Sequence, residues 1–217
     1  MSQVKTQHEL EMGIKSLGLS CTSQQVDQLL AYLNMLQRWN KAYNLTAIRE
    51  PIQMVRLHLL DSLAINPCVS GASEILDVGT GPGLPGIPLA ILNPDINFTL
   101  LDSNGKKTRF LFQAINELGL TNAREVNQRV EKYQTEKAFD IILSRALSSI
   151  SDMLNQCQHL VAKNGCFLAM KGKKPDSELS QITKAYKVVD VSKIVVPNVD
   201  GERHLIKIKK IVGGNTN

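Results

Sequence analysis

Glu74-Ile75-Leu76-Asp77-Val78-Gly79-Thr80-Gly81-Pro82-Gly83-Leu84-Pro85-Gly86 is the stretch that decides how this chain of 217 residues folds. It opens with a short apolar run of strand type and breaks into a loop of glycine and proline. An apolar run then resumes at Ile87, Leu89, Ala90, Ile91 and Leu92 and reads as a buried helix. Strand, glycine loop and helix form the first unit of a doubly wound α/β fold. Closely spaced glycines let a backbone curve tightly and come close to a ligand. Pro85 suits the first turn of a helix, where a missing N–H costs nothing. The helix N-terminus is expected to offer free N–H groups and partial positive charge to an anionic group.

Two ligand classes use such a loop. Gly81-Pro82-Gly83-Leu84-Pro85-Gly86 matches G-x-G-x-x-G, the dinucleotide fingerprint. The longer string Asp77-x-Gly79-x-Gly81-x-Gly83 matches the acidic-first loop of S-adenosylmethionine-dependent methyltransferases. The second reading explains more residues, because the dinucleotide fingerprint has no role for Asp77. An NAD-linked oxidoreductase would need a hydride-transfer site and usually a second substrate domain, and neither is evident. Motif content leaves open an RNA-binding or cofactor-sensing module without turnover.

Composition sets wide bounds. The net charge is +5 and the pI about 9.0, which permits a nucleic-acid partner without requiring one. Cys21, Cys68, Cys157 and Cys166 are scattered without C-x-x-C spacing. They read as reduced thiols of a cytoplasmic protein, with no zinc site. No apolar run approaches bilayer length and the N-terminus lacks a signal-peptide pattern, so no membrane partner is expected.

The chain divides into a helical extension over residues 1–70, a cofactor-binding domain over 71–212 and a flexible tail over 213–217. In the extension, Leu10, Ile14 and Leu17 predict a helix over 8–17 that stops at Gly18. Thr22-x-x-Gln25 has the form of a capping box. Behind it, Val26, Leu29, Leu30, Leu33 and Leu36 predict a helix over 23–39. The polar, aromatic and basic run from Trp39 to Thr46 breaks that period, and Pro51 starts a further helix through Leu60. In the domain, strands are expected over 96–101, 124–127, 139–144 and 166–170. Helices are expected over 106–118, 150–161 and 176–184. The β-rich segments 187–196 and 204–211 have no helix between them, which predicts an antiparallel pair at the edge of a mostly parallel sheet.

Ligands of such sheets sit beyond the carboxyl ends of the strands. Asp102 ends the second strand about 20 residues past the loop, where a carboxylate accepts hydrogen bonds from ribose hydroxyls. Asp77 could order the loop by accepting its N–H groups, or sit near the positive end of a ligand. Val130 and Glu131 could supply an apolar face and a polar partner to an adenine ring. Arg145 ends the fourth strand, nearest the reacting group in this layout, and could hold a carboxylate or phosphate. Lys171 and Arg203 flank strand ends on the ligand side and are candidate RNA contacts. His58 and Asp61 stand beside no other metal-type ligand, so a helix-to-loop hydrogen bond suits them better than a metal. Trp39 and Tyr43 could stack on a base, although packing suits Trp39 better.

Several strings together resemble the bacterial glucose-inhibited division protein B family, the small-subunit ribosomal RNA guanine-N7 methyltransferases. They are Arg38 to Thr46, His58-Leu59-Leu60-Asp61-Ser62, Asp77 to Pro88, Leu101-Asp102-Ser103, Ser144-Arg145-Ala146, Lys171-Gly172 and Asp200 to Leu205. The resemblance runs over nearly the whole chain and implies a single Rossmann-like class I methyltransferase domain behind an N-terminal helical extension. It implies S-adenosyl-L-methionine as cofactor and the small ribosomal subunit or its 16S rRNA as partner of a monomeric enzyme. By family position Gly79, Leu84, Val130, Glu131 and Arg145 are cofactor contacts; the loop and strand-end readings add Gly81 and Asp102. Guanine N7 carries a free in-plane lone pair, so no catalytic base is assigned.

Overall fold

The computed structural model describes residues 2–145 and 149–211. The tail 213–217 and Ala146 of the string quoted above lie outside them.

Seven strands form one sheet in the order β3-β2-β1-β4-β5-β7-β6. They are β1 (Glu74–Val78), β2 (Asn97–Asp102), β3 (Ala123–Asn127), β4 (Phe139–Ser144), β5 (Val161–Lys171), β6 (Tyr186–Lys193) and β7 (His204–Lys210). The first five pair in parallel, and β7 runs antiparallel between β5 and β6. This is the expected class I architecture with its antiparallel edge pair. Strand order reverses at β1, with β2 and β3 on one side and β4 and β5 on the other. A crevice at the carboxyl end of such a switch point is where open α/β sheets bind ligands.

The helices are α1 (Ser2–Ser16), α2 (Ser23–Tyr43), α3 (Pro51–Met54), α4 (Asp61–Leu63), α5 (Gly86–Leu92), α6 (Gly105–Leu118), α7 (Ile150–Cys157) and α8 (Asp176–Ser180). The capping box before α2 is present in both directions between Thr22 and Gln25. Gly119 closes α6 in the left-handed conformation, as its place past the last apolar residue predicts.

Other boundaries moved for physical reasons. Helix α2 continues four residues past Trp39, because Asn40 is buried and its side-chain oxygen accepts from Thr46 N. Asn44, at φ 50°, then ends the helix. Strand β5 starts at Val161 rather than Cys166, across a register irregularity opposite Phe139 and Ile141. The polar stretch Lys163-Asn164-Gly165 hid that extension from an apolar pattern. The single helix expected after Pro51 instead widens into a π-helical segment, Val55–Leu60, before α4. There Asp61 N–H donates back to Arg56 O, five residues earlier. Such wide turns re-aim side chains and cluster at functional sites.

Strand residues alternate between two cores. Ile75, Leu100, Ile141 and Leu168 join one, together with residues of α1, α2, α5 and α6. Leu76, Leu101, Ile142 and Phe167 join the other, under α7. This is the period-two pattern of a sheet covered on both faces. The N-terminal helices therefore share a core with the sheet. Trp39 meets Phe110 of α6 edge-on at 5.6 Å, so it packs between α2 and the domain.

Candidate functional site

The loop after β1 consumes its own amides. Gly79 N and Thr80 N donate to Leu101 O, Gly83 N and Leu84 N to Thr80 O, Gly81 N to Asp102 Oδ2, and Gly86 N to Asp77 Oδ2. Pro82 and Pro85 have no N–H, so every N–H from Gly79 to Gly86 is engaged. The expectation of free amides awaiting an anion is thereby corrected. Four of the six go to the main-chain oxygens of Leu101 and Thr80, and two go to the carboxylates of Asp102 and Asp77. None of these bonds falls on the carbonyl oxygens of Gly79 or Gly81. With every amide engaged, the loop has no free N–H to offer a pyrophosphate.

Both aspartates are buried. Asp77 Oδ2 also accepts from Thr80 Oγ1 at 2.7 Å, whereas Asp77 Oδ1 is buried with no hydrogen-bond partner among the described residues. Burial pushes the Asp77 carboxyl up to about 6, against the pull of Thr80, Gly86 and Arg145, and the neighbouring Asp102 charge adds to the rise. Asp102 accepts from Asn104 N through Oδ1 and from Gly81 N through Oδ2, with Lys107 Nζ 3.4 Å from Oδ2. The loop is pinned from behind as well, since Tyr32 of α2 donates its hydroxyl to Pro82 O at 2.9 Å.

A groove of about 250 Å³ opens over the ends of β1, β2 and β3, lined among others by Val78, Gly79, Asp102, Ser103, Val130, Glu131 and Gln156. The tight turn Val130–Lys132 places Val130 as a buried apolar wall and leaves Glu131 exposed beside it. Beyond the switch point, a second pocket of about 310 Å³ lies at the ends of β4 and β5. Its polar groups are His58, Asp61, Arg145, Lys171, Arg203 and His204, and its apolar walls include Ile48, Leu57, Met170 and Ile194. Asp61 joins the extension to the domain there: Arg145 Nη1 lies 3.3 Å from Oδ2 and Arg203 Nε 3.1 Å from Oδ1. Arg145 Nη1 also donates to Leu57 O at 3.2 Å, in the π-helical segment. Three larger hollows, of about 590, 630 and 410 Å³, lie at the amino ends of the strands, between α1, α2 and the end of α6, and beside Trp39 and Tyr43; none touches the glycine loop.

The sequence candidates thus divide. Gly79, Asp102, Val130 and Glu131 share the first groove, and Gly81 is tied to it through Asp102. Leu84 is 2% exposed and belongs to the core, so its side chain does not line the groove. Arg145, Lys171 and Arg203 come together in the second pocket. The two RNA candidates are not free surface cations: Lys171 pairs with Glu178 at 2.9 Å and Arg203 with Asp61. His58 makes the expected helix-to-loop bond, Nε2 to Thr46 Oγ1 at 2.9 Å. Burial, with the Arg145 charge beside it, pushes its pKa down to about 4. Sequence reading missed Asp61 as the partner of two arginines and Tyr32 as the support of the loop. Neither partner lies near in the chain, so spacing carried no signal for either.

A family model described as GidB, rRNA small subunit methyltransferase G, matches residues 25–206. A "Ribosomal RNA small subunit methyltransferase G" of Shewanella amazonensis is 51% identical over 93% of this chain and 98% of its own length. One of Serratia proteamaculans is 50% identical over 94% and 98%. Among solved structures, N-methyltransferase NodS from Bradyrhizobium japonicum WM9 in complex with S-adenosyl-L-homocysteine shares the fold, with TM-score 0.57, 14% identity and coverage of 82% of this chain and 100% of that one. Matched at half identity over nearly its whole length, this chain belongs to the GidB family of rRNA small subunit methyltransferases G.

Proposed function

We propose that this protein transfers the methyl group of S-adenosyl-L-methionine to N7 of a guanine in 16S rRNA of the small ribosomal subunit, acting as a cytoplasmic monomer. The observation that carries this reading is the loop whose amides are all engaged, with a buried, half-satisfied carboxylate at Asp77 beneath it. That donor set fits a cationic sulfonium–amino acid and disfavours the pyrophosphate of NAD. No helix among the described residues is long and apolar enough to cross a membrane.

Asp102 would hold the ribose hydroxyls, Val130 and Glu131 the face and edge of the adenine. Gly79, Gly81 and Leu84 would supply main-chain contacts, with Asp77 behind them. When bound, the cofactor supplies an electrophilic methyl group. The chain's own task is placement: it must bring N7 to about 3–3.5 Å from that group, in line with the departing sulfur, and exclude water. N7 needs no general base, so no residue has to remove a proton. Fixed carbonyls and carboxylates can stabilise the positive charge as it moves onto the base. N7 lies in the deep, narrow major groove of paired RNA, so access favours an unpaired guanine.

Radiolabelled methyl transfer to small-subunit RNA, followed by nucleoside digestion, tests the reading. Label in 7-methylguanosine is expected. Label in any other nucleoside, or cofactor binding without transfer, would reject it. A separate expectation concerns Asp102. Asp102→Ala removes the ribose partner and leaves Gly81 N unmet, so S-adenosylmethionine affinity should fall by about 1–3 kcal/mol. S-adenosylhomocysteine has the same ribose and should weaken equally in calorimetry. An unequal loss would mean that Asp102 senses the sulfonium charge.

A further inference from the structure

The second pocket gathers charged side chains of which only Arg145 is read as a cofactor contact. It lies across the switch point from the first groove, at the ends of β4 and β5. Its floor is a three-body charge cluster: the Asp61 carboxylate, about 7% exposed, lies between Arg145 and Arg203. A carboxylate so enclosed holds both guanidinium groups in place, and those groups keep its own burial affordable. Among the described lining residues Asp61 is the one acid, facing the cations Arg145, Lys171 and Arg203. Lys171 is answered from outside by Glu178, which also accepts Ile150 N. His58 faces the same cluster and is held neutral there. The pocket is therefore close to balanced, with a slight positive excess and apolar walls from both the extension and the domain.

We propose that this pocket receives the acceptor guanine and that Asp61 is the positioning residue that sets Arg145 and Arg203 around it. This rests on the guanine-N7 reading above. The chemistry of the base supports it. N7 and O6 lie on one edge of guanine, and an arginine ordinarily takes both. An acceptor N7 has to keep its lone pair free, so an arginine here is useful only if held back to reach O6 or the adjoining phosphate. Asp61 and Leu57 O restrain Arg145 in that way. The charge argument points in the same direction. During transfer, the C–S bond breaks, the N7–C bond forms, and the sulfonium's positive charge passes to the base. Two unanswered arginines beside N7 would oppose that shift, and the Asp61 carboxylate offsets them.

Filling the pocket tests its occupant. Ile48→Trp and Ile194→Trp enter from opposite walls, one from the extension and one from the segment after β6. Either should leave S-adenosylmethionine affinity unchanged by calorimetry, which also reports that the variant is folded. Methyl transfer at saturating RNA and cofactor should fall about 100-fold, the cost expected of a misplaced reactant. For Asp61, the Asp61→Asn variant should lose rate at saturation far more than cofactor affinity. That loss should shrink when Arg203 is already alanine, because the aspartate acts through the arginines. Wild-type turnover by both tryptophan variants would overturn the pocket while leaving the function intact. Equal losses of rate and cofactor affinity in Asp61→Asn would overturn the positioning role. Failure of the wild-type enzyme to methylate small-subunit RNA would remove the functional reading and this inference together.

Discussion

Gly79→Asp is expected to abolish S-adenosylmethionine binding while the protein still folds. Gly79 has φ +66°, and a Cβ built there meets nothing within 4 Å. The backbone strain of a left-handed residue is about 1–2 kcal/mol, and aspartate tolerates that region better than most. A chain of this size should then lose only about 2–4 °C of melting temperature per kcal/mol. The open space is the difficulty, because Gly79 lines the groove and the new carboxylate would stand in it. Affinity should fall about 100-fold or more, equivalent to roughly 2.8 kcal/mol. Gly86→Ala supplies the contrast. Its Cβ would lie 2.2 Å from Leu100 Cδ2 and 2.8 Å from Asp77 Oδ2. That variant should lose folding stability, since the Leu100 side chain is fully enclosed in the core and the Asp77 oxygen is held by Thr80 Oγ1 and Gly86 N. Normal cofactor affinity in a folded Gly79→Asp protein would reject the loop assignment.

Asp77→Asn should separate what this carboxylate does for the fold from what it does for the cofactor. Its folded pKa, about 6, is raised above the ordinary value of 3.8. The folded state therefore binds the proton more tightly than the unfolded chain. The resulting stability is fully present below pH about 4 and is lost as pH rises through about 6. At neutral pH, the shift corresponds to on the order of 2–3 kcal/mol. Asparagine can still accept from Thr80 and Gly86 but carries no charge into the core. In urea titrations, the stability of the variant relative to wild type should thus climb between pH 4 and 6 and level off above. Cofactor binding should move oppositely. A cation near the loop favours the ionised carboxylate, so wild-type affinity should rise with pH through about 6. The asparagine variant should bind weakly at every pH. Equal affinities of the two proteins at pH 7.5 would show that Asp77 only orders the loop.

The sequence by itself determined the local units. A strand, a glycine loop and a helix follow one another within the stretch from Glu74 to Leu92, so composition and period expose them. The same holds for β4, which has its expected bounds, and for the caps Thr22 and Gly119, which act on groups within a few residues. The family was legible too, because its strings are contiguous. Only the tertiary structure decided what those units meet. That two loop amides reach Leu101 O and a third reaches Asp102 depends on the loop folding back over the end of β2, and that Gly86 N reaches Asp77 depends on its turning back over β1. That Asp61 binds Arg145 and Arg203 depends on contacts 84 and 142 residues apart in the chain. A hydrogen bond or ion pair acts over a few ångströms and is indifferent to chain separation. Residue spacing therefore reveals such contacts only where the partners are neighbours in sequence, and those that shape both pockets are not.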